Sequence, residues 1–253
     1  MATQLIPIDC GHITEVERSG QQYFTGFGEK IHAQVIMWLV KGDDTTIVID
    51  TGPGTPEMVR ERHGRELVQS PEQNPLRGLE KHGVAPDDVD VVVQTHLHWD
   101  HCLGLDQDLF PNAEIYLQRA ELAYAAAPYP VHQRLFDVGV LKRLLPSYAR
   151  DIPNIRIIDG DYRISRDCEL LLTPGHTPGT QATIVRTDTT TYAFASDTVT
   201  YGSSWRGPTC EDWIPPGIHT NLDEYYESLA RLARVADVVV PSHDDAWLDR
   251  TLE

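Results

Sequence analysis

The chain has 253 residues, 41% of them hydrophobic and 8% aromatic, enough to bury one large core of its own. Acidic side chains outnumber basic ones 38 to 21, a formal charge of −17, and so negative a surface repels phosphate backbones and excludes nucleic acid as an expected partner. The N-terminal MATQLIPIDCGHITEVE has no basic stretch followed by an apolar one, and no segment approaches about 18 uninterrupted apolar residues, so neither secretion nor a membrane partner is expected.

β-Branched runs alternate with helical stretches without a repeat or linker, which predicts one continuous domain over 1–253. In chain order, strands are expected at 35–40 and 45–50, helices at 56–63 and 75–82, then strands at 89–95 and 114–117. Helices follow at 119–126 and 133–148, strands at 155–159, 169–173, 181–186 and 191–195, a helix at 223–235 and a strand at 238–241. Lys41-Gly42-Asp43-Asp44 and Arg186-Thr187-Asp188-Thr189 read as hairpin turns between apolar runs. The helix at 223–235 carries Tyr225, Leu229 and Leu232 on one face, pairs Glu227 with Arg231, and has Asn221 or Asp223 as its cap. The Ala-, Pro- and Leu-rich segment 119–148 reads as an insertion forming a lid or an oligomer contact, with monomer and homodimer both open. Cys10, Cys102, Cys168 and Cys210 form no C-x-x-C pair and read as free thiols of a cytoplasmic protein.

Strand after strand ends in a polar cluster: Asp50-Thr51-Gly52, Thr95-His96-Leu97-His98, Thr173-Pro174-Gly175-His176, Ser196-Asp197 and Ser242-His243-Asp244. Such strand ends gather at one edge of a layered fold. The densest is His96-Leu97-His98-Trp99-Asp100-His101, an H-x-H-x-D-H pattern with four potential metal ligands in six residues. In an extended segment His96 and His98 point the same way and can share one ion, and a turn after them swings Asp100 and His101 toward a second. A complete site needs more ligands at other strand ends, and His176, Asp197 and His243 supply them, Asp197 being able to bridge two ions.

The ordered set H-x-H-x-D-H, His, Asp, His resembles the metallo-β-lactamase superfamily, from the Ile49-Asp50-Thr51-Gly52 turn to His243. The resemblance implies an αββα sandwich: two mixed sheets flanked by helices, with metals at one edge between the sheets. By the family pattern His96, His98 and His176 bind the first ion, Asp100, His101 and His243 the second, and Asp197 bridges them. Asp50 supports the site without binding metal. Two zinc ions per chain are implied, with iron or manganese as alternatives.

Within that superfamily the chain most resembles the N-acyl homoserine lactonases, through residues 95–102 (THLHWDHC), 173–179 (TPGHTPG) and 242–244 (SHD). The expected activity is opening of a small lactone by a metal-bridging hydroxide, with Asp100 orienting it and passing its proton to the leaving group. Alternatives are a glyoxalase II-like thioesterase, a cyclic amide or β-lactam hydrolase, and a mononuclear iron persulfide dioxygenase. Two positions depart from the lactonases. Thr180 stands where a second histidine is frequent, and Thr200 stands where a catalytic tyrosine is common, with Tyr201 one residue later as its expected substitute. Trp99, Trp205, Arg206 and His219 are the candidate substrate contacts. His12, His32, His63, His82 and His132 match no family position and are expected to be solvated or satisfied locally.

Overall fold

In the run 35–40, Val35, Met37 and Leu39 enter one core and Ile36, Trp38 and Val40 another. That alternation marks a strand covered on both faces. A computed structural model describes residues 3–42, 45–106, 109–144, 154–250 and 252, and in it this run is the middle of β2 (Lys30–Lys41).

The larger of two sheets has the order β4 (Leu67–Val68), β1 (Gln4–Glu17), β2, β3 (Thr46–Ile49), β5 (Val91–Val93), β6 (Glu114–Gln118), β7 (Ile155–Ile158). Strands β1, β2 and β3 pair antiparallel, whereas β3, β5, β6 and β7 run parallel. The smaller has the order β12 (Val238–Val240), β11 (Thr191–Phe194), β10 (Gln181–Arg186), β9 (Cys168–Leu172), β8 (Tyr162–Arg163), and its β11–β12 pair is parallel.

The sheets bury a shared apolar layer, in which Trp38 packs on Phe194 with ring centroids 4.8 Å apart. Outside the larger sheet lie α2 (Pro56–His63), α3 (Pro75–Lys81), α4 (Trp99–Asp106), α5 (Arg119–Ala126) and α6 (Val138–Leu144), which share its second core. Outside the smaller lies α7 (Leu222–Val235), whose Tyr225, Leu229 and Leu232 meet Leu171, Ile184 and Ala193. This is the αββα sandwich. A one-turn helix α1 (Arg18–Gln21) follows β1. No helix among the described residues is long and apolar enough to cross a membrane.

Several expectations need correction. The strand β1 escapes a periodicity reading because its register breaks between Asp9 and His12 and between Ile13 and Val16, with positive φ at Gly11 and Glu15. The helix expected at 133–148 is a 3-10 turn at Gln133–Leu135 followed by α6. It breaks where Phe136 bridges His98 and where Asp137 Oδ1 accepts the Val140 amide at 3.0 Å. Residues 145–148 of that prediction, and Asp43 and Asp44 of the first hairpin turn, lie outside the described residues. Asn221 caps α7, while Arg231 reaches the Leu172 carbonyl and Asp161, not Glu227.

Because β9 and β11 each run antiparallel to β10, and β12 runs parallel to β11, the C-terminal ends of β9, β11 and β12 share one edge. The loop after β9 adds a close approach: Gly175 has φ +134, and a Cβ there would lie 2.6 Å from the Tyr225 Cα. Gly175→Ala is therefore expected to destabilise the fold by at least about 2 kcal/mol, read as a lower denaturant midpoint. An unchanged midpoint would contradict the packing of α7 on this loop.

Candidate metal centre

The parallel strands β3 and β5 deliver Asp50 and the 96–101 segment, and the smaller sheet's shared edge delivers His176, Asp197 and His243. The segment after His98 coils into α4 at Trp99, and this helix carries Asp100 and His101. Side-chain ligand atoms gather into two groups, His96, His98, His176 and Asp197, and Asp100, His101 and His243, each spanning no more than 4.8 Å. Asp197 stands between them. Its Oδ2 lies 3.4 Å from His176 Nε2 and 4.0 Å from His96 Nε2, and its Oδ1 lies 3.1 Å from His243 Nε2 and 3.3 Å from His101 Nε2. Asp100 Oδ2 lies 3.8 Å from both His101 Nε2 and His243 Nε2.

The far nitrogens of several rings are fixed by hydrogen bonds. His101 Nδ1 meets Asp50 Oδ2, His176 Nδ1 the Ile218 carbonyl and His243 Nδ1 the Gln34 carbonyl, each at 2.7 Å. Carbonyl and carboxylate partners set the tautomer and leave Nε2 as the lone-pair nitrogen facing the cluster. His98 turns Nδ1 inward instead, 2.9 Å from His176 Nε2.

The Nε2 atoms of His96, His101 and His243 are buried, converge on the carboxylates, and have no hydrogen-bond partner. Buried polar atoms are rarely left unpaired, and an imidazole-carboxylate set of this composition suits zinc, iron or manganese. The residues therefore fit a metal centre.

Burial pushes His96 and His98 well below the ordinary imidazole value and lowers His176, so all three stay neutral, the form that binds metal. Burial acts on His101 and His243 in the same direction, but Asp197 and Asp100 outweigh it and raise both. Burial would raise Asp197, yet His243 and His101 hold it well below the usual carboxylate range.

Asp50 has φ +63 and accepts hydrogen bonds from the Thr95 amide and hydroxyl and from Gln94 Nε2 besides facing His101. A non-glycine residue in that region carries strain that the surrounding hydrogen bonds must hold. Asp197 is anchored from outside, with Ser242 Oγ donating to Oδ1 at 2.7 Å and the Tyr225 hydroxyl donating to its carbonyl. Gln94, Tyr225 and Ser242 were not expected at the site. Only Ser242 carried a signal, as a neighbour of His243 at a strand end.

The candidate substrate contacts fare differently. Trp99 is 5% exposed, sits in the core beneath the helices and stacks on His63, which corrects its expected role. Trp205 stacks on Trp213 against the α7 core, and Arg206 Nε donates to the Ser203 carbonyl, so both serve their own loop. The Tyr201 hydroxyl donates to the His32 carbonyl at 2.8 Å, a correction to its expected part in catalysis, and burial raises it. His219 follows Ile218, the partner of His176, and packs edge-on against Tyr23.

The pattern of the metallo-β-lactamase superfamily matches residues 33–243. The chain belongs to that superfamily. Among curated superfamily members, the N-acyl homoserine lactonase of Bacillus cereus is 28% identical over 235 residues, covering 89% of this chain and 84% of that one. AiiA of Bacillus thuringiensis subsp. kurstaki, also an N-acyl homoserine lactonase, is 29% identical over 221 residues, 84% and 79% of the two chains. An N-acyl homoserine lactone hydrolase solved with N-hexanoyl-L-homoserine at its catalytic metal centre shares the fold with a TM-score of 0.76 at 22% identity, over 97% and 95% of the chains. AidC, a dizinc quorum-quenching lactonase, does so at 0.70 and 21%, over 96% and 88%.

The carboxylates beside His101 and His243 favour their protonated forms, which compete with an ion entering that group, whereas burial favours the neutral forms of His96, His98 and His176. Zinc titration at pH 6 and pH 8 is therefore expected to weaken the second equivalent more than the first at the lower pH. Equal weakening of both would contradict this asymmetry.

Proposed function

We propose that the chain is a dinuclear metal-dependent hydrolase that opens a lactone ring, that of an N-acyl homoserine lactone or another small lactone. The carrying observation is Asp197, with one carboxylate oxygen toward His96 and His176 and the other toward His101 and His243. In this reading His96, His98 and His176 hold one zinc ion, Asp100, His101 and His243 a second, and Asp197 both, with iron or manganese as the alternative metals. The lactonase relatives support the substrate class.

Bound there, the ions lower the pKa of an attacking water to about 7 and polarise the substrate carbonyl, so that no serine or cysteine nucleophile is needed. Asp100, whose carboxylate is 16% exposed while its neighbours His101 and His243 are buried, marks the open side of the centre. It is placed to hold the attacking water by hydrogen bond and to return the proton to the departing ring oxygen. Asp50 fixes the His101 ring. The acidic exterior disfavours polyanions and leaves neutral or weakly anionic substrates as the favoured class. Segment 119–144, with Phe136 against His98 and His132 bonded to Tyr124, walls the cleft as a lid. The four free cysteines suit the reducing cytoplasm.

The test is turnover of acyl-homoserine lactones and of S-lactoylglutathione by zinc-loaded protein. Lactone opening that disappears on chelation and returns with zinc is expected. Asp100→Asn should lower kcat at least about 100-fold, whereas Tyr201→Phe should cost less than about threefold because its hydroxyl is engaged by His32. Thioester turnover exceeding that of every lactone would sink the proposal.

A further inference from the structure

Glu121 lies in the first turn of α5 and is 0% exposed. Its Oε1 accepts the Leu97 amide at 2.8 Å, and its Oε2 accepts the Thr177 hydroxyl. The Gly179 amide also donates to it, and among the described residues no cation acts on it. A buried carboxylate without a counter-charge is costly, and an apolar side chain would fill the same space at lower cost. Its retention points to what the two oxygens hold.

Leu97 lies between His96 and His98, and Thr177 follows His176. The two ligand-bearing loops, one from each sheet, therefore end on opposite oxygens of a single carboxylate. The His176 loop also closes on itself, with the Thr177 and Thr180 hydroxyl oxygens 2.7 Å apart. It presses directly onto the first turn of α5, where a Cβ on Gly179 would lie 2.2 Å from the Glu121 amide nitrogen.

We propose that Glu121 is a positioning residue for His96, His98 and His176: its two oxygens fix the His96–His98 loop against the His176 loop and so set the spacing of the three imidazoles. The inference rests on the metal-centre part of the function proposed above and is independent of which substrate is opened.

Glu121→Met removes both acceptors while filling the volume. It is expected to lower zinc affinity for the first equivalent about tenfold or more and to shift the visible bands of the cobalt-substituted protein. Glu121→Gln can still accept from Leu97 through its carbonyl and donate to Thr177 through its amide, so it is expected to return affinity to within about threefold of wild type. A folded Glu121→Met protein with wild-type zinc affinity and an unchanged cobalt spectrum overturns the proposal. If that variant does not fold, Thr177→Val, which cuts the side-chain tether to the His176 loop and leaves the Gly179 amide in place, decides. A severalfold loss of zinc affinity with altered cobalt bands supports the proposal, and wild-type values overturn it. Wild-type protein that binds zinc but opens no lactone overturns the proposed function and leaves this inference standing; wild-type protein that takes up no zinc overturns both.

Discussion

Asp197 sits where the edges of two sheets converge, fully enclosed, with imidazoles from both sheets crowding its two oxygens. Seven ligand groups in so dry a space set a severe electrostatic problem. Four buried Nε2 atoms, those of His96, His98, His101 and His243, lack a hydrogen bond, and His101 and His243 are drawn toward protonation by the carboxylates beside them. Burial on this scale is costly without compensation, and in the proposed function divalent ions would supply it where the lone pairs meet. Much of the surrounding polar structure holds these groups in place.

That surrounding structure works through backbone and side chains that never reach the cluster. Gln34 and Ile218 contribute only their carbonyls, each orienting one ring. Gln94 donates to the His96 and His101 carbonyls, so the H-x-H-x-D-H segment folds around one amide side chain. Between the sheets, Gln181 donates to the Gln94 carbonyl and accepts from Gln118, a buried polar link that ties the two layers close to the centre. Fully satisfied networks of this kind rigidify a core and specify one arrangement of it. Beside the Ile218 carbonyl the packing is aromatic: Tyr23 packs on His219, and the exposed Phe24 and Phe27 rings meet edge to face.

How far these features can be read from sequence follows from their physics. Ligands at strand ends are legible because the strands are strongly β-branched runs such as 91–93 and 238–240, the first fully buried and the second partly, and the polar residues that follow them stand out. The helix 56–63 matches its expected range, and its start is set locally by Thr55 as cap and Pro56 in the first turn. The bulged β1 was not legible, because its two register breaks erase the alternation that marks a strand. Nor were the roles of Trp99 and Tyr201, since a tryptophan inside a ligand motif and a tyrosine beside a ligand carry the same sequence signal whether they face the cleft or the core. Their orientation is decided by distant partners, His63 for one and the His32 carbonyl for the other. Glu121 was invisible for the same reason, as an ordinary residue of a short helix until the fold brings two loops to it.

In the proposed function Asp197 joins two metal positions. Anomalous scattering from crystals grown with zinc tests it most directly. Two peaks are predicted, one among His96, His98 and His176 and one among Asp100, His101 and His243, with the Asp197 carboxylate between them. A single peak, or peaks away from Asp197, would contradict it.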